Sequence, residues 1–272
     1  MSRNWAYNGG SVISESLYAL LVDVELHWGL SINHFLGTKS RPALRVIPPT
    51  TLIGALSYPL AKIKKWPENI GSLSSADRLR SVLTSVHYSV LLGHSVTYAE
   101  VSKVFSYKVR ERKVISDAVA VQKIYTKPGT ILRIYYIFHD HLARDLGPSW
   151  KKELRAAGWG IVRIGAKESL VSVKDSRFVD VNLVKVKGFV KTKATVPLDS
   201  VKSIKGSFTI EEVIDWRVSG VGRYFEAPRT RIAQPVSALG GPGKVEVLPT
   251  SSYVYEIGKE IVIPWTISSG GG

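Results

Sequence analysis

Between Leu17 and Leu26 the apolar residues alternate, with Leu20, Val22, Val24 and Leu26 on one side and Asp23 and Glu25 on the other. A period of two predicts a half-buried strand. After Pro48-Pro49-Thr50-Thr51 the period changes: Leu52, Leu56, Leu60 and Ile63 recur at helical spacing, with Thr50 or Thr51 as the expected N-cap. Pro59 falls inside that helix and is expected to kink or shorten it. Leu79, Val82, Leu83 and Val86 predict a second helix over Ala76–Val86, opened by Ser74 or Ser75. Strand character follows at Tyr88–Tyr98 and Val119–Tyr125. In Ile131–Phe138 both faces are apolar, as in the middle of a covered sheet. Pro148 suits the first turn of a further helix, with Trp150, Leu154 and Ala157 on one face and Gly158 as its stop. Ile161–Val173 returns to strand character.

That order, β-α-(α)-β-β-α-β, predicts an α+β fold: a ferredoxin-like (RRM) domain over residues 1–176, with a basic β-hairpin inserted at about 100–130. Beyond Ser176 the text is β-rich at Val181–Val190 and Tyr253–Ile263, with only Glu211–Trp216 helical in pattern. A smaller C-terminal β domain is expected over 177–272, ending in a mobile glycine-rich tail, Ser268–Gly272.

Composition adds charge. The chain carries 37 Lys and Arg against 22 Asp and Glu, a net +15 over 272 residues. Phosphate contacts made by such cations supply most non-specific nucleic-acid affinity, so nucleic acid is the expected partner. No apolar run approaches a spanning helix, and Met1-Ser2-Arg3-Asn4-Trp5 lacks a secretory apolar region, so a cytoplasmic protein without a membrane partner is expected. Zero cysteines exclude disulfides and thiolate metal sites, and scarce Met, Gln and Asn suggest a thermophilic source.

The charge is clustered. Between Lys103 and Arg133 stand eight bases against Glu111 and Asp117, interleaved with Phe105, Tyr107 and Tyr125. Cations for phosphates and rings for bases are what a single strand needs. Lys108, Arg110 and Arg112 alternate, so an extended segment would project all three from one side. Candidate RNA contacts here are Lys103, Tyr107, Lys108, Arg110, Arg112, Lys113, Gln122 and Lys123. Lys185, Lys187, Lys191, Lys193, Lys202 and Lys205 form a second cluster, equally readable as lysines blunting edge strands. A looser third comprises Arg217, Arg223, Arg229 and Arg231 around Gly220 and Gly222.

Gly158–Ser169 has glycines at Gly158, Gly160 and Gly165, but a helix precedes and a strand follows, the reverse of a dinucleotide fingerprint. No glycine stands directly before Lys167, so it is not a Walker loop either. The segment reads as a tight turn offering Arg163 and Lys167 to phosphate. His139-Asp140-His141 could place two imidazoles on one face, but no third ligand lies near, so neither a metal nor a cofactor is expected. His27 or His94 with Lys108 or Lys123 could in principle serve a metal-independent ribonuclease, without spacing that singles out a pair.

Arg41-Pro42-Ala43-Leu44-Arg45-Val46-Ile47-Pro48-Pro49-Thr50-Thr51-Leu52-Ile53-Gly54-Ala55-Leu56 resembles the N-terminal signature of the fifth family of CRISPR-associated proteins, RAMP-superfamily subunits of the type I surveillance complex Cascade. Gly160–Val173 is similar to that family's late glycine-containing strand, and the likeness runs in order over residues 17–175, with the cast of the archaeal type I-A branch. The resemblance implies an antiviral role: one copy in a hetero-oligomeric complex, binding the repeat-derived 5′ handle of the crRNA and meeting the backbone and large subunits. It implies a thumb where the basic hairpin stands, and handle contacts at Arg41, Arg45, Arg163 and Lys167. One branch of the family cuts precursor crRNA with a Tyr/Lys/His-type site that these residues do not match one by one, so no catalytic residue is assigned. The alternatives are a metal-independent endoribonuclease processing precursor crRNA and a generic RRM-like RNA-binding protein.

Overall fold

The computed structural model describes residues 16–34, 40–71, 73–218, 227–238 and 240–266. The expectations for Met1–Trp5, Gly220, Gly222, Arg223 and the Ser268–Gly272 tail lie outside them. The fold is mixed α+β, mostly strands with a few helices. Its centre is a six-stranded sheet in the order Glu260–Val262, Tyr253–Ile257, Val171–Lys185, Leu17–Leu26, Thr130–His139, Leu83–Leu92, with all neighbours antiparallel.

The central position of Leu17–Leu26 explains its burial on both faces. Leu20, Val22, Val24 and Leu26 meet Leu52, Leu56 and Leu60 of the Pro49–Lys64 helix and Leu154 and Ala157 of the Trp150–Trp159 helix in one core. The other face, with Leu17, Ala19 and Leu21, packs with Tyr135, Ile137, Val181, Tyr255 and Ile257. Asp23 on that face, expected to meet solvent, is nearly buried and takes a bidentate bond from Arg133, Nε–Oδ1 2.7 Å and Nη2–Oδ2 2.6 Å. The pairing holds Arg133 above its ordinary pKa. One of the eight bases in the basic segment is thereby committed to the fold.

Thr130–His139 lies between two strands with both faces covered, as its sequence predicts. Other elements differ from expectation for identifiable reasons. The Pro49–Lys64 helix is capped by Pro48 rather than by a threonine side chain: Pro48 is extended (φ −63°, ψ 143°), and Pro49 starts the helix without needing an N–H partner. Pro59 lies within the helix, which runs on to Lys64. The second helix is Ser75–Arg80, opened by a capping box between Ser74 and Asp77, and stops well short of Val86. Beyond it Leu83–Leu92 is a strand, because Val86, Tyr88 and Val90 alternate toward the helices while Ser85, His87 and Ser89 face the other way. That stretch satisfied both periods, and pairing with Thr130–His139 decided it.

The strand expected from Ile161 begins only at Val171. Before it the chain folds on itself: Ile164 N–H donates to Ser169 O (3.0 Å) and Ser169 N–H to Ala166 O (2.9 Å), around Gly165 at φ +98°. Glu211–Trp216 is not helical; Phe208–Ile214 is a strand paired with Arg229–Pro235, in keeping with its β-branched Thr209, Ile210, Val213 and Ile214. Val171–Lys185 is continuous through residue 176 and pairs with Tyr253–Ile257 at its far end. Among the described residues no helix is long and apolar enough to cross a membrane.

Candidate nucleic-acid interface

Ser95–Lys108 and Lys113–Thr126 form a long antiparallel hairpin in unbroken register from Ser95↔Thr126 to Lys108↔Lys113. Its base is anchored: Gly29–Leu30 pairs antiparallel with Tyr125 and Ile124, and Ser40–Arg41 runs parallel along Ala120 and Val121. This register sets Arg41 beside the hairpin, a long-range placement the sequence could not supply. Gln122 is part of the anchor, its Oε1 accepting from Ala43 N–H at 3.3 Å. Lys123 bonds Glu100 at 3.0 Å, which raises its pKa, and lies 5.9 Å from the Trp28 ring. Trp28, Tyr125 and Tyr98 continue as a ladder with centroids 5.3 and 5.5 Å apart.

The distal half stands in solvent, with Phe105 68% and Tyr107 59% exposed. Lys103 is exposed beside them. Lys108, Arg110 and Arg112 do not alternate along an extended strand: the strand ends at Lys108, and Val109–Arg112 makes the turn, with Arg112 left-handed at φ 46°. Glu111 sits between Lys108 (3.3 Å) and Lys113 (2.6 Å). Arg110 and Arg112 are in no ion pair among the described residues, so they are the cations the tip can offer.

The two motif segments meet elsewhere. A cleft of about 550 Å³ is walled by Thr50, Thr51, Gly54, Ala55 and Tyr58 on one side and Gly160, Val162, Arg163, Gly165 and Ala166 on the other, with Ser31–Asn33 between. Gly165 is required there, since a Cβ would stand 2.7 Å from Ile32 Cγ1 and 2.9 Å from Ser31 O. At Gly54 a Cβ would meet nothing within 4 Å, so that glycine leaves open space. The N-terminal end of the Pro49–Lys64 helix, with no acid in its first turn, lines this cleft and a smaller one of about 250 Å³ that shares Ile32, Asn33, Thr50 and Thr51. A helix start favours anions. Asn33 Oδ1, buried between the two clefts, has no hydrogen-bond partner among the described residues and is an acceptor awaiting a donor. Nothing in the sequence marked Asn33 out.

Of the proposed handle residues, Arg163 lines the cleft. Lys167 is exposed on the same loop, and Arg45 reaches instead to Glu211, Nε–Oε1 3.1 Å. The lysines beyond Lys185 are dispersed: Lys191 pairs with Glu246 and Lys205 covers the Phe189 ring. In the third group Arg217 is bound by Asp199 and Asp215, each at 2.7 Å, and Arg229 by Glu212, so these arginines hold the fold. Among the histidines, His27 Nε2 bonds Ser172 Oγ at 2.9 Å, and the His139 and His141 rings lie 5.4 Å apart. No group of three metal-ligating side chains occurs among the described residues.

No protein-family model matches the chain. Two proteins of Saccharolobus solfataricus align over 252 residues, covering 89% of this chain and 97% of each relative: the CRISPR system aCascade subunit Cas5 1, 30% identical, and the CRISPR-associated protein Cas5 3, 31% identical. A crystal structure of a CRISPR protein from Archaeoglobus fulgidus shares the fold, with a TM-score of 0.59 at 20% identity over 92% of this chain and 100% of that one.

Proposed function

The chain belongs to the Cas5 family of CRISPR-associated proteins, and from that premise we propose that it is a crRNA-binding subunit of an archaeal type I Cascade, gripping the repeat-derived 5′ handle without cutting it. The observation that carries the proposal is the convergence of Thr50–Tyr58 and Gly160–Ala166 on one cleft, beside a hairpin bearing uncommitted arginines. The cleft offers a helix start, Arg163 and an unpaired acceptor, groups suited to phosphates and to the donors of bases and riboses. The sheet order supports the ferredoxin-like reading: by position in the chain, the strands of the β-α-β-β-α-β unit lie fourth, first, third, second, with both long helices on one face. The solvent-exposed hairpin suits the thumb role, with its apolar and aromatic residues available to a neighbouring backbone subunit. The protein then acts as one copy in a cytoplasmic hetero-oligomer, bridging backbone and large subunits in antiviral defence.

The enzyme reading has a direct test. Repeat RNA incubated with purified protein in chelator is expected to remain intact and bound. Site-specific cleavage that disappears in His27→Ala or His94→Ala would make the protein a metal-independent endoribonuclease instead.

A further inference from the structure

The Trp150–Trp159 helix buries Trp150, Leu154, Ala157 and Gly158 and turns Lys152, Arg155, Ala156 and Trp159 outward. Three of those four suit an anionic, ring-bearing ligand. Lys151 and Lys152 stand in the helix's first turn with Glu153, whose carboxylate is taken by Lys64, and no side chain caps that end. Trp159, 49% exposed, leaves a large apolar ring in solvent at the other end of the same face.

The helix does not stand alone. With Arg177 and Phe178 of the Val171–Lys185 strand it walls a cleft of about 630 Å³, lined also by Lys151, Lys152, Arg155 and Trp159. Arg155 Nε is bonded to Ser176 O, Arg177 is paired with Asp175, and Lys151 lies against the Tyr18 ring. Lys152 is in no ion pair among the described residues. Phe178 packs inward against Phe138 and Trp150, so the concave surface offers one exposed ring, Trp159, beside Lys152 and Arg155, a pairing that matches a sugar-phosphate backbone in which every nucleotide carries both a phosphate and a base to stack.

We propose that this cleft is a second binding surface for single-stranded nucleic acid, separate from the hairpin and the glycine-loop cleft. Lys152 and the Arg155 guanidinium meet phosphates, and Trp159 offers its face to a base. The surface reads no sequence, since it presents point charges and a ring rather than fixed donors to base edges.

The test uses the full chain and an oligouridylate of about 12 nucleotides, within the span of single-strand sites. Binding is followed by fluorescence anisotropy, in the wild-type background and again with Arg110→Ala and Arg112→Ala present, so that failure of the hairpin reading and of this one are separable. Trp159→Ala is expected to weaken binding about tenfold in both backgrounds, and Trp159→Phe, which keeps a ring, to restore most of it. Lys152→Ala is expected to flatten the salt dependence by about 0.7. Both residues are on the surface, so unchanged thermal unfolding checks the fold. Unaltered affinity and slope in these variants would overturn the proposal. So would a polyglutamate peptide whose binding requires Trp159 and Lys152 while oligouridylate binding does not; the occupant would then be an acidic protein segment.

Discussion

Replacing Arg110 and Arg112 together with alanine is expected to flatten the plot of log affinity for single-stranded RNA against log salt by about 1.4, about 0.7 for each phosphate no longer neutralised. Extrapolated over the range from 1 M to physiological salt, that slope corresponds to roughly a tenfold loss of affinity. The turn geometry makes the prediction specific. Glu111 already holds Lys108 and Lys113, so Lys113→Ala should change the slope far less than either arginine substitution. Glu111→Gln, which frees both lysines, should steepen it. Salt titrations of the variants on one RNA check all of these together. A slope unchanged by the double arginine substitution would mean that the tip faces protein, as a thumb gripping a neighbouring subunit does.

Acidification is expected to cost the fold about 3 kcal/mol through one residue, given the link between pKa shifts and stability. His87 is 1% exposed, with Nε2 2.6 Å from Ser85 Oγ and Nδ1 3.0 Å from Thr195 O. Burial pushes its pKa down to about 4 from 6.5, because the imidazolium loses its hydration there. The unfolded chain therefore takes up this proton below pH 6.5 while the folded chain refuses it until about pH 4. His87 thus leaves stability undiminished above pH 6.5 and erodes it as pH falls through that window. Unfolding free energies at pH 7.5 and 4 should differ by less in His87→Gln than in the wild type, and equal differences in the two proteins would refute the assignment. The same burial leaves His87 with no access to substrate, which separates it from any role in RNA chemistry.

What the sequence revealed depended on the range of the interactions. Leu17–Leu26 was legible from its period of two, although the covering of its Asp23 face was not, and Thr130–His139 was legible because a strand covered on both faces leaves a short apolar run. Val82–Val86 was not, since its spacing satisfies a helix and a strand alike and only the partner Thr130–His139 distinguishes them. Glu211 and Arg217 carry charges that composition assigns to solvent or to RNA. In the folded chain they meet Arg45 and the Asp199–Asp215 pair, contacts between residues distant along the sequence or hidden in an irregular loop. The glycine segment was recognisable as a turn, but its opposing wall at Thr50–Tyr58 lies more than a hundred residues earlier, and only the resemblance joined the two. Asn33 and Trp159 gave no signal, because an ordinary asparagine and an ordinary helix-end tryptophan acquire meaning from what surrounds them.

The account is tested most directly by measuring affinity for the repeat-derived 5′ handle against a scrambled RNA of the same length and composition, at matched salt. A handle-binding subunit should prefer the handle, and Arg163→Ala should erode that preference, whereas Arg110→Ala should weaken both RNAs alike. Equal affinity for the two RNAs in the wild type would contradict the account and leave a general single-strand RNA-binding protein in its place.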